Sequence, residues 1–118
     1  MRSVNNKTGE TAELIFASEA AKQGFVVLFP HSDSIPYDFA IDNGKRILTI
    51  QVKSTAGGDR GVLIKGYKYK SVNFMAIYMH ATNEFYIVPI KYMLKFKSRT
   101  SIGPRYNKYK NAWHLLKP

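Results

Sequence analysis

Residues 36–53 read Pro36-Tyr37-Asp38-Phe39-Ala40-Ile41-Asp42-Asn43-Gly44-Lys45-Arg46-Ile47-Leu48-Thr49-Ile50-Gln51-Val52-Lys53. Asn-Gly between two β-prone runs is a strong local signal for a hairpin. On its second strand Leu48, Ile50 and Val52 point one way, and Thr49, Gln51 and Lys53 the other. The hairpin therefore places an acid, Asp38, at the start of one strand. It places an amide and an ammonium, Gln51 and Lys53, roughly 7 Å apart on one face of the other.

Outward from the hairpin, Gly9 to Gln23 is rich in Ala and Glu, free of proline and followed by Gly24, which predicts a helix with glycine at its C′ position. At 100° per residue, Phe16, Ala20, Ala17, Ala21 and Leu14 share one arc, from about 40° to 200°. Glu13 and Glu10 fall inside that arc. Phe25 to Phe29, ended by Pro30, reads as a short buried strand. After the hairpin, Ser54 to Gly61 reads as a loose connection, and Val62 to Tyr69 as a weakly marked strand. Val72–Met79 and Glu84–Val88 read as strands around an Ala81-Thr82-Asn83 turn. Ile90 to Phe96 reads as a short helix with Pro89 near its start. Ser98 to Tyr106 reads as a basic loop, and Asn107 to Leu116 as a short closing element with Trp113. This order predicts a mixed α/β (α+β) fold, a central mixed β-sheet flanked by helices. One domain over residues 1–118 is expected, with residues 1–8 as a flexible arm.

Composition narrows the function. The chain has no cysteine, which excludes disulfides and thiolate metal sites. It has no apolar run of membrane-spanning length and no apolar leader, which points to an intracellular protein. Basic residues number 18 against 8 acidic, a formal charge of +10. Residues 1–42 hold six acids and three bases, a sum of −3, whereas residues 43–118 hold fifteen bases and two acids, a sum of +13. That excess on a small chain suggests a polyanionic partner, nucleic acid before membrane.

Phosphodiester hydrolysis with a hard divalent cation needs oxygen ligands, a polarised phosphate and a cation that orients water or stabilises developing charge. Asp38, the Val52 carbonyl and Lys53 offer those groups, and Glu13 can supply the charge that neutral Gln51 lacks. Ser32 and Ser34 precede Asp38 in a loop that can either cap itself or touch a phosphate. His31, His80 and His114 show no zinc-ligand spacing, and there is no nucleophile-elbow motif. Two basic–aromatic clusters, Lys65–Lys70 and Arg99–Lys110, suit contact with a phosphate backbone.

The chain resembles the PD-(D/E)XK nuclease superfamily. Gly9-x-x-x-Glu13 with a helix ending at Gly24-Phe25 resembles archaeal-type Holliday-junction resolvases. Pro36-Tyr37-Asp38 followed by Ile50-Gln51-Val52-Lys53-Ser54 is similar to group I intron homing endonucleases in which glutamine replaces the usual acid. The motif departs from the superfamily in having Tyr37 between proline and aspartate. The resemblance implies a restriction-endonuclease-like core with Glu13, Asp38, Gln51 and Lys53 as catalytic residues. It implies Glu13, Asp38 and the Val52 carbonyl as metal ligands, and Mg2+ as the ion, with Mn2+ able to substitute. Ser34, Arg60, Lys65, Lys68, Lys70, Arg99, Arg105 and Lys108 are expected to contact DNA. Diffuse charge on a short chain places a structure-selective, resolvase-type endonuclease slightly ahead of a homing enzyme. A DNA-binding module without catalysis is the other alternative. Cutting two strands implies a homodimer or higher oligomer.

Overall fold

The computed structural model describes residues 7–32, 34–56, 61–64 and 69–118. In chain order these form helix α1 (Lys7–Lys22), strands β1 (Val26–Leu28), β2 (Phe39–Asp42), β3 (Ile47–Thr55), β4 (Val62–Leu63), β5 (Phe74–Met79) and β6 (Glu84–Pro89). Then follow the single-turn helix α2 (Ile90–Met93), strand β7 (Arg99–Thr100) and two 3-10 turns, Pro104–Tyr109 and Trp113–Leu116. The first helix begins at Lys7, two residues before the expected start; residues 1–6, expected as an arm, lie outside the described residues. It ends as its glycine predicts. The Phe25 amide donates to the Ala20 carbonyl and the Gly24 amide to that of Ala21, with Gly24 at φ +94°. That is a Schellman closure.

The main sheet has the order β1-β2-β3-β5-β6. All neighbours are antiparallel except β3 and β5, which are parallel in the register Gln51↔Met75 and Lys53↔Ile77. A parallel pair needs a long crossover. Here residues 56–73 supply it and carry β4, which pairs with β7 as a separate two-stranded ribbon. Thr49 and Asn73 pin the start of the parallel pair. The Asn73 side-chain oxygen accepts the Thr49 amide at 2.8 Å, and the Thr49 carbonyl accepts the Asn73 amide at 2.9 Å.

Alternation along β3 works as predicted: Leu48, Ile50 and Val52 are buried while Thr49, Gln51 and Lys53 are half-buried on the other face. On the first face Phe16 of α1 sits among aromatic rings, with centroids 5.5 Å from Phe39, 5.7 Å from Phe85 and 5.6 Å from Trp113. The opposite face of β5 and β6 is covered by a second core containing Val62, Ile64, Tyr69, Met93 and Tyr106.

Four expectations need correction. Ala12, Phe16 and Ala20 form the buried stripe of α1, whereas Leu14 is 67% exposed and Ala21 is exposed. The aromatic cluster centres the packed face on Phe16, so Glu13 lies at its half-buried flank and Glu10 outside it. Phe25–Phe29 is not a buried strand but the sheet's edge: Phe25 and Val27 join the core while Val26 and Phe29 are exposed. The expected loop at 98–106 contains β7 and the start of a 3-10 turn. The strand expected over 62–69 is confined, among described residues, to Val62–Leu63. No helix is long and apolar enough to cross a membrane among the described residues.

Candidate active site

The site forms where β2 and β3 part. The Asp38 amide donates to the Ile50 carbonyl at 3.0 Å, the last backbone bond before the strands diverge. The Asp38 carboxylate then accepts the Val52 amide at 2.8 Å, a carboxyl oxygen standing where the next strand carbonyl would be. In β3 the backbone groups of residues 50 and 52 face the same edge. The Val52 carbonyl therefore opens toward this fork.

Helix α1 supplies the opposite wall. Glu10, Glu13 and Asp38 line one cleft of about 330 Å³ together with Phe29, Ser32 and Tyr37. Glu13 is half-buried and Glu10 exposed. Of the two helix acids, Glu13 is the more enclosed. Among the described residues no group of three or more His, Cys, Asp or Glu is arranged to hold a metal ion. The candidate set of two carboxylates and one backbone carbonyl is all oxygen, the donor chemistry that a hard cation such as Mg2+ takes.

Gln51 and Lys53 flank Val52 at the same end of β3 but do not line the cleft; their side chains emerge on the other sheet face. Lys53 Nζ lies over the ring of buried Tyr69, 5.9 Å from its centroid. The sequence places Tyr69 at the end of a weakly marked strand and within the Lys65–Lys70 basic–aromatic cluster. Its burial comes from the second core, which it shares with Val62, Ile64, Val72 and Met75 and which no local pattern encodes.

The expected DNA contacts divide. Arg60, Lys65 and Lys68 lie outside the described residues. Lys70 and Arg99 are exposed. Arg105 donates to the Thr100 hydroxyl at 2.9 Å and stacks 4.7 Å from the Phe96 centroid, which braces the corner between β7 and the following turn. Lys108 lies 5.2 Å from the Tyr109 centroid. The Ser34 amide donates to the Ser32 hydroxyl at 3.2 Å and the two hydroxyls sit 2.9 Å apart, so this loop does cap itself. Of the ionisable groups, Tyr106 shows a clear shift: burial raises its phenol above the usual tyrosine range.

Residues 4–115 match the family model described as PD-(D/E)XK endonuclease. The bacterial homing endonuclease I-Ssp6803I has a similar solved structure, with a TM-score of 0.81 and 26% identity over 92% of this chain and 89% of that one. Hjc, a Holliday junction resolvase from the archaeal hyperthermophile Archaeoglobus fulgidus, is similar with a TM-score of 0.66 and 14% identity, covering 86% of this chain and 96% of that one. At that identity the second likeness concerns the fold. No curated protein matches the chain in sequence.

Proposed function

We propose, from the premise that this chain belongs to the PD-(D/E)XK endonuclease family, that it is a divalent-metal-dependent endonuclease cutting duplex DNA at a specific site. The Asp38–Val52 hydrogen bond carries the reading, because it fixes a carboxylate and a backbone carbonyl at one fork opposite Glu13. Glu13, Asp38 and the Val52 carbonyl would hold the ion. Bound there, Mg2+ or Mn2+ would supply a Lewis acid for the phosphate and lower the pKa of a ligated water.

The remaining chemistry falls to the chain's own groups. Lys53 brings a positive charge to the same strand end from the other sheet face, where it would stabilise charge developing on a phosphate held across the fork or orient the attacking water. The Gln51 amide both donates and accepts, which suits holding a water in line without adding negative charge. Two strand cuts call for two such sites, hence at least a homodimer. A DNA substrate is consistent with an intracellular location.

Diffuse charge placed a branched substrate first. The likeness to a homing endonuclease over nearly the whole chain, together with Gln51, supports site-specific cutting of linear duplex more strongly. Junction cleavage is the second reading, favoured by the fold shared with the resolvase. Incubation with Mg2+ on a randomised linear duplex pool and on four-way junctions separates them: cutting at one linear sequence is expected. Binding without cutting on either substrate would leave the DNA-binding module.

A further inference from the structure

The far end of the hairpin carries a second cleft, of about 350 Å³, lined by Asn43, Lys45, Arg46, Leu48, Leu115, Lys117 and Pro118. Two segments from distant parts of the chain are tied there: the Asn43 side chain donates to the Leu116 carbonyl at 2.8 Å. The same side chain accepts the Lys45 and Arg46 amides at 3.0 Å each, which fixes the turn that presents both cations. None of the lining side chains is acidic. The adjacent Asp42 carboxylate instead accepts the Gly44 amide. Lys45, Arg46 and Lys117 belong to no ion pair among the described residues.

We infer that this cleft is a phosphate-binding site that grips the DNA backbone away from the reacting phosphodiester; the inference rests on the reading that the chain acts on DNA. The catalytic cleft is lined by three carboxylates and repels a phosphate until a cation enters, so the grip on the polyanion must come from elsewhere on the surface. Val52 lies six residue steps beyond Arg46, roughly 20 Å along an extended strand. On a duplex rising about 3.4 Å per base pair, that is about six pairs from the cut. Arginine takes a phosphate with two parallel bonds and the lysines add point charges.

The test uses the full chain with Lys45→Ala, Arg46→Ala and Lys117→Ala combined, and the Arg/Lys-exchanged set Lys45→Arg, Arg46→Lys, Lys117→Arg as a charge-preserving control. Metal-free binding is measured across salt on a duplex of about 24 base pairs and on one of about eight, both centred on the cut. Every phosphate that is no longer neutralised by a side chain lowers the slope of log affinity against log salt by about 0.9. On the long duplex the expected result is a slope smaller by about two to three, affinity down about 10- to 100-fold and recovery in the control. On the short duplex no change is expected, nor in cleavage rate at saturating DNA. An unchanged slope on the long duplex overturns the site, as does equal loss on both duplexes or a change confined to self-association. Failure of the unaltered chain to bind either duplex instead overturns the DNA reading itself.

Discussion

The Val52 amide and the Asp38 carboxylate are joined by a 2.8 Å hydrogen bond at the point where β2 leaves β3. One acid thereby closes the strand ladder and faces the cleft that Glu13 also lines. The two duties separate by substitution. Asp38→Asn keeps an oxygen to accept the bond, so stability should change by less than about 1 kcal/mol, while cleavage falls by at least about 100-fold for want of a charged ligand. Asp38→Ala loses both and should also cost about 1–2 kcal/mol. Urea midpoints beside single-turnover rates distinguish the two; an Asn variant that cuts at full rate would remove Asp38 from the metal set.

Lys53 lies over Tyr69, and a ring face attracts an ammonium by roughly 0.5–2 kcal/mol. Tyr69→Leu should therefore lower the cleavage rate by about threefold to thirtyfold at saturating DNA, with Tyr69→Phe close to the unaltered chain. Equal rates for Leu and Phe would show that only core filling matters there.

Gly61 has φ +59°, and a Cβ on it would run into the Thr100 carbonyl across the β4–β7 ribbon. Gly61→Ala should cost about 1–3 kcal/mol, read as a fall in the thermal or urea midpoint. An unchanged midpoint would mean the ribbon adapts at no cost.

Tyr106 is fully buried and shares a 2.8 Å hydrogen bond with the Thr100 hydroxyl. Burial raises its pKa in the folded chain above the ordinary value of 10.0. The unfolded chain therefore loses this proton first as pH rises. The contribution is intact below about pH 10 and declines as pH climbs from there through the folded-state pKa. Tyr106→Phe should remove that part of the alkaline loss, at a cost of about 1 kcal/mol near neutrality from the missing bond. Urea titrations at several pH values above and below 10 measure it.

Much of this was legible in the sequence, for reasons that differ by element. The hairpin announces itself because its turn chemistry and its period-two alternation are local. The helix cap at Gly24 is local too. The phase of α1 was not legible. Leu14 and Phe16 are equally apolar on paper, and only Trp113 and Phe85, distant in sequence, decide that Phe16 faces inward. Edge position escaped for the same reason, since Val26 and Phe29 are exposed by their place beside β2 rather than by their chemistry. The β4–β7 ribbon has two residues per strand, too short for any pattern. Within the candidate site, Glu13 and Asp38 converge on one cleft as expected. The pairing of Lys53 with Tyr69 required the crossover to be folded.

The most direct test is Mg2+-dependent cleavage of a cognate duplex by the unaltered chain and by Lys53→Ala, with binding measured on the same DNA. Binding should persist within a few-fold while cleavage drops by at least about 100-fold. Metal-dependent cutting that survives the combined loss of Asp38 and Lys53 would contradict the proposed site.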